Sequence, residues 1–246
     1  MKLPEKEKAA QKAAFHAMSP AKKAEHIYTY YKWPILLVLL ALIVLGSVLH
    51  RQLTKKDPVL YLAFLNVSVG EDLERQLTAD YLTDAGLDAR RQEVYLYKDL
   101  YISDDADTLN HEFAYASKMK LSGAISAKKL DLVLMNREAY DILSGQGYLL
   151  DLSALLQERD PALLETLSPL LAENEVVLSD NTLEVLLGEA EQEQRLTDTV
   201  PNAIAVTSLA PFRNAGFDGE LYLGIVANSE RIEECSAYLR FISAFP

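Results

Sequence analysis

Pro34 to His50, PILLVLLALIVLGSVLH, is seventeen residues without a charge, and it constrains this chain more than any other stretch. A helix apolar on every face has no side to offer water, so it is either enclosed by a core or placed in lipid. About 20 apolar residues cross the hydrocarbon of a bilayer, which puts this run at the short end of a span. Tyr28, Tyr30, Tyr31 and Trp33 precede it, where aromatic side chains suit the membrane interface and lengthen the effective span. The reading is a transmembrane helix over 34–50, with a buried soluble helix as the duller alternative. A cleaved secretory signal fits less well, because 33 residues come first and GSVLHRQ has no small-x-small cleavage site. No cysteine follows that would carry a lipid.

Charge divides the chain at the same place. Residues 1–33 hold seven Lys and three Glu, and Arg51, Lys55 and Lys56 follow the run. The first 56 residues therefore carry +7, and the other 190 carry −19 of a net −12. An excess of Lys before a span holds that side in the cytoplasm. The expected order is a cytoplasmic basic segment (1–33), a transmembrane helix (34–50), a linker (51–57) and an extracytoplasmic domain (58–246). The basic head either sets this topology or lies on anionic lipid as a helix broken at Ser19-Pro20. Nucleic acid is disfavoured as a partner, since phosphate binding needs a basic surface and the net charge is −12. One cysteine allows no internal disulfide, and with four histidines it leaves little for a transition-metal site.

Within 58–246 the pattern alternates strands with helices. PVLYLAFLNV (58–67) reads as a buried strand, and Ser68 to Glu71 has capping-box spacing before a helix with Leu73, Leu77 and Tyr81 on one stripe, ended by Gly86. A second helix follows Asp104-Asp105, with Leu109, Phe113 and Ala116 at helical spacing. LDLVLM is a strand, and Asn136 opens the helix REAYDIL, closed by Gly145. Pro161 starts PALLETLSPLLA. NEVVLSDNTLEVLL reads as two strands around Ser179-Asp180-Asn181. NAIAVTSL and ELYLGIVANS are strands, and ERIEECSAYLRFI is a helix with Ile232, Cys235, Leu239 and Ile242 on one face. Such alternation predicts an α/β domain with a largely parallel sheet, in one body or two small lobes.

Three stretches carry a family resemblance: YLAFLNVSVGEDL, LDLVLMNREAYDILSGQGYLLDLSALL and LGIVANSERIEECSAYLRFI. They resemble the first strand and helix, the strand–helix–G-x-L-x-D-L passage, and the C-terminal strand, turn and helix of extracellular solute-binding proteins with the type II periplasmic-binding fold. The resemblance implies a non-catalytic binding domain that closes two lobes on a ligand, linked to transport or sensing. Three features depart from the family: the domain is short, the anchor is an uncleaved helix, and the only Trp is Trp33. Sugar platforms often use Trp, so oligosaccharide is disfavoured. The alternative is a degenerate binding fold that docks an envelope or transporter protein, with the cleft filled by side chains such as Tyr95, Tyr97 and Tyr101.

In open α/β sheets ligands sit at the carboxyl ends of strands. That nominates Asn66, Ser68, Asn136, Arg137, Thr207 and Ser208 for a small-molecule or peptide ligand. Ser68 and Asn136 are equally the residue types of plain helix caps. Arg137 is unusual in a first helical turn, an end that favours acids, and this hints at a ligand anion; the −19 charge of the domain argues the other way.

No catalytic set emerges. SDDAD (103–107) lacks the Gly and Glu of a calcium loop and suits N-capping. HEFAY lacks the second His of a zinc-protease helix. Gly145-Gln-Gly147 is no dinucleotide fingerprint, and no Gly-x-Ser-x-Gly elbow is present. GEAEQEQR (188–195) reads as solvated surface, and Cys235 as core. No cofactor, metal or catalytic residue is expected.

Overall fold

The computed structural model describes residues 19–20, 28, 33–34, 36–47, 55–104, 111–180 and 195–245. The chain divides into two compact units, Met1–Lys55 and Lys56–Pro246. In the first, residues 36–47 are helical. Among the described residues no helix is long and apolar enough to cross a membrane. Most of the basic head, residues 48–54, the calcium-like residues 105–107, Leu109, and 181–194 lie outside the described residues.

The second unit is a mixed α/β structure built on one six-stranded sheet. Its strands are β1 (Asp57–Leu65), β2 (Gln92–Leu100), β3 (Leu132–Asn136), β4 (Leu171–Asp180), β5 (Arg195–Ala205) and β6 (Leu221–Ile225), in the order β2-β1-β3-β6-β5-β4. The expectation of a largely parallel sheet holds only for its first half. β2 and β3 flank β1 in parallel, while β6, β5 and β4 follow antiparallel to one another, with β6 also antiparallel to β3. All six strands belong to one sheet, so among the described residues there is no second sheet for a first lobe to close upon.

β1 is buried from Leu60 through Leu65, the continuous apolar run of a strand covered on both faces. Its period of two divides the interior. Leu60, Leu62 and Phe64 face one core, and Ala63 and Leu65 the other. The first core takes side chains from α1 (Glu71–Arg75), α2 (Tyr81–Asp84), α5 (Leu152–Arg159), α6 (Pro161–Leu167), α7 (Ala210–Ala215) and α8 (Ile232–Ser243). The second takes α3 (His111–Ser126) and α4 (Arg137–Gly145). Layers of helix on both faces therefore enclose the sheet.

Several local expectations change. Gly70, not Ser68, is the N-cap of α1, and it makes no side-chain cap bond. Ser68 stays exposed in the extended stretch before it, so the capping-box spacing is not used. Leu73, Leu77 and Tyr81 are buried as a stripe, and Gly86 ends the helix with φ +67°. In α3 the buried positions are Ser117, Leu121, Ala124 and Ile125, whereas Phe113 and Ala116 face solvent. Asn136 caps α4, accepting the Ala139 N–H at 3.0 Å, and Gly145 is the last residue of the helix as expected, with the left-handed Gly147 turning the chain two residues on. Ser179 and Asp180 continue β4 instead of turning, and the second predicted strand falls in 181–194, outside the described residues. β2 and α5 are elements that the sequence reading did not place. In β6, a Cβ at Gly224 would meet Leu149 Cδ2 at 3.1 Å and the Asn202 carbonyl at 3.2 Å, so the close approach of the backbones needs glycine.

Candidate functional site

The carboxyl ends of β1 and β3 do open onto a concave surface. A groove of about 950 Å³ runs between the segment Asn66–Gln76 on one side and α7 with the loop to Leu221 on the other. β1 delivers Asn66 to its edge, β3 delivers Asn136, and buried Leu73 and Leu221 form part of its floor. The left-handed Gly216 (φ +70°) ends α7 and turns the chain along the groove wall toward Phe217 and Asp218.

Of the six nominated residues, the groove brings together Asn66, Ser68 and Asn136. Each of the two amides is already engaged. Asn66 sits at φ +58° and pairs with the backbone of Ile102 in both directions, donating to its carbonyl at 2.7 Å and accepting its N–H at 2.8 Å. Those two hydrogen bonds hold a backbone conformation that most residues avoid. Asn136 is committed to its cap.

Arg137, Thr207 and Ser208 do not line the groove. Arg137 Nε pairs with Asp141 Oδ1 at 2.9 Å, one helical turn on, and its guanidinium lies 5.8 Å from the ring centroids of both Tyr140 and Tyr222. The Tyr222 hydroxyl is the main cause that raises its pKa. These partners explain a cation in the first turn without a ligand anion. Arg137 reaches the groove only indirectly, by donating to the Tyr222 hydroxyl at 3.4 Å, which in turn donates to the groove residue Glu220. Burial, then the bond to Glu220, raises the Tyr222 phenol above its ordinary value of 10.0. Thr207 Oγ1 accepts the Leu221 N–H at 2.7 Å, and the Ser208 carbonyl accepts from Arg213 at 2.9 Å. Both are turn contacts that set the loop between β5 and β6.

The charged residues of the groove come mostly from places the sequence reading passed over. Glu71 and Asp72 stand in the first turn of α1, and Asp218 and Glu220 on the loop before β6. Against these four carboxylates the lining offers one guanidinium, Arg75. Among the described residues Glu71, Asp72 and Asp218 form no ion pair. Acids in the first turn already complement the helix dipole, so an added anion would meet repulsion there rather than an empty positive end. The signal for Asp218 and Glu220 was the turn-rich FDGE between two strands, which marks a loop but not the side of the sheet on which it lies.

Tyr95, Tyr97 and Tyr101 do not fill this groove. Tyr95 and Tyr97 instead lie against Tyr61, at centroid distances of 5.6 and 6.5 Å, and Lys120 covers Tyr97 at 5.7 Å. Among the described residues no group of three or more His, Cys, Asp or Glu is placed to hold a metal ion. Comparison of the chain with protein-family models, with curated proteins and with solved structures returned no match.

Proposed function

We propose that this is a membrane-anchored, extracytoplasmic binding protein of bacterial type, similar in design to solute-binding proteins of the type II periplasmic-binding fold. Its ligand lies in the groove at the carboxyl ends of β1 and β3. The observation that carries the reading is the groove itself: about 950 Å³ at the strand ends, with four carboxylates against one guanidinium on its lining. That balance favours a cationic ligand, a polyamine or the basic side chains of a short peptide, over an anion. Binding is non-catalytic in this reading. With a single sheet, capture would use a preformed groove rather than closure of two lobes.

The anchor rests on the uncharged run 34–50 and on the charge step from +7 to −19 across it. The large side chains of residues 36–40 and 42–45 are each more than half exposed. A contiguous apolar surface of that kind calls for lipid or a protein cover. The second reading, a docking module for an envelope or transporter protein, has its own observation: Phe113, Tyr115 and Met119 on α3 are 50%, 64% and 56% exposed.

The test is a thermal-shift and native mass-spectrometry screen of residues 56–246 against amino acids, short peptides, sugars and polyamines. A saturable rise of the midpoint with a polyamine or basic peptide is expected, as binding to the folded state alone requires. It should weaken with salt and vanish in Asp72→Lys/Asp218→Lys, while Arg137→Ala leaves it unchanged. A flat response across the panel sinks the groove reading and leaves docking as the function to pursue.

A further inference from the structure

The helix that walls the groove is not a regular α-helix. α1 leads into a π turn, Gln76–Asp80, and only then into α2. A π turn closes by i→i+5 bonds, so it holds one residue more than the α ladder, and its carbonyls must find other donors. The displacement is visible at Leu77. The Tyr81 N–H, which in an α-helix would donate to the Leu77 carbonyl, bypasses it and closes the end of the turn with a tight bond three residues back, to the Thr78 carbonyl. The Leu77 carbonyl accepts the buried hydroxyl of Tyr238 at 2.9 Å. Two side chains of the helix complete the set: Thr78 Oγ1 donates to the Glu74 carbonyl at 2.7 Å, and Thr83 Oγ1 to the Ala79 carbonyl at 2.9 Å.

Closing the π turn without shortening the chain would shift one half of the helix against the other by one residue, a rotation of about 100° and a translation of about 1.5 Å. The C-terminal half resists this. Tyr81 and Leu82 are buried, and Tyr81 meets Tyr238 and Phe241 edge-on at 4.8 and 5.5 Å. The N-terminal half has one buried residue, Leu73, and a surface ion pair from Glu74 to Lys98 at 3.0 Å. Its open side is the groove. The half free to move therefore carries Glu71, Asp72, Arg75 and Gln76.

We propose that this π turn is a two-register device, and that Tyr238 is its positioning residue. The hydroxyl on Leu77 holds the wide register and thereby sets where α1 presents its charges along the groove. Burial raises the phenol pKa, which keeps the donor protonated. Only the consequence for ligand rests on the function proposed above; the register itself is tested without ligand.

The experiment is hydrogen exchange by mass spectrometry on the full chain in detergent micelles, with Tyr238→Phe, which keeps the ring and removes the hydroxyl. Peptides covering residues 71–82 should exchange about tenfold faster, while β1 and β3 follow the loss of global stability. Deleting exposed Ala79 takes out the residue that the wide turn accommodates. In that background Tyr238→Phe should no longer accelerate exchange in 71–82. A uniform acceleration of all peptides, or the same local effect in both backgrounds, overturns the proposal. Spermidine titration separates the two inferences. Wild-type binding that weakens about threefold in Tyr238→Phe, roughly half of RT ln 10, supports the link to the groove. An unchanged affinity beside altered exchange overturns that link. Absence of spermidine binding in the wild type sinks the ligand reading, and the exchange result still decides the register.

Discussion

The backbone N–H of Tyr61 donates to the buried Oδ2 of Asp131 at 2.9 Å, across 70 residues of sequence. The Asp131 N–H returns the bond to the Tyr61 carbonyl at 3.0 Å. Asp131 Oδ1 accepts Ser229 Oγ at 2.6 Å and Arg231 at 3.4 Å, and the Arg231 guanidinium sits 4.8 Å from the Tyr61 ring centroid. One carboxylate thus ties β1 to the segment that leads into the last helix.

Removing that carboxylate strands three donors. Asp131→Ala should cost about 3 kcal/mol, at the lower end for a buried pair because Arg231 keeps some access to water. Asp131→Asn, which can still accept from Tyr61 or Ser229, should cost about half as much. Urea unfolding of residues 56–246 measures both. A loss below about 0.5 kcal/mol for the alanine variant, the level of an ordinary surface change, would mean that the network adds nothing to stability.

Tyr140 performs a similar task on the other face. Its hydroxyl is within 2.8 Å of both the Ala172 carbonyl and Asn202 Oδ1, Asn202 donates to Ser144, and Ser144 donates to the Glu175 carbonyl. Tyr140→Phe leaves acceptors buried without this donor, and a loss of about 1–3 kcal/mol follows. Because these bonds hold β4 to α4, amides of 172–176 should lose exchange protection before those of β1. Equal protection in both regions would refute the assignment.

Cys235 is fully buried, and that burial first, then the nearby Asp131 charge, pushes its thiol up to about 12. The thiolate is the reactive form, so the native thiol stays inert. Labelling with a disulfide reagent at pH 8 should proceed only at the rate of unfolding and rise with urea. Fast stoichiometric labelling of the native protein would show that α8 does not cover this position.

Arg240, by its hydrogen bond, and then the Leu163 N–H hold the Asp160 carboxyl below its ordinary value of 3.8. A depressed carboxyl contributes stability that is present above 3.8 and lost as pH falls through the lower, folded value. Stability of the wild type should therefore drop more steeply below that pH than stability of Arg240→Ala. Parallel urea midpoints from pH 5 to pH 2 (roughly the window of acid unfolding) decide it. Identical acid limbs would remove Asp160 from the account.

Much of the fold was legible because its signals are local. β1 announces itself by seven apolar residues in sequence, β3 by LVLM before a capping Asn, α8 by Cys235, Leu239 and Ile242 on one stripe. Less was legible where a local signal had two solutions. α3 is apolar on two sides, and only packing shows that Leu121 and Ile125 go inward while Phe113, Tyr115 and Met119 do not. Ser179 and Asp180 are turn formers, but pairing with Leu196 and Arg195 keeps them extended. β2 mixes Tyr and charged residues with Val94 and Leu96, because an edge strand beside water need not be apolar on both faces.

The candidate site divides the same way. That Asn136 starts a helix could be read from its side chain, which reaches only three residues ahead. Arg137 could be read only in part: Asp141 stands one turn on in the same helix, but Tyr222, which stacks on Tyr140 and meets the guanidinium, comes from β6. Nor could Asp218 and Glu220, which face Glu71 and Asp72 only because β6 runs antiparallel to β3 and brings its leading loop to the carboxyl end of the sheet. Periodicity, capping and net charge act within a few residues or over the whole chain, so the sequence by itself determined helices such as α4 and α8, the strands β1, β3 and β6, and the acidic character of the domain. Strand direction and the side chains that meet across the groove depend on contacts between residues far apart in the chain, and only the tertiary structure decided them.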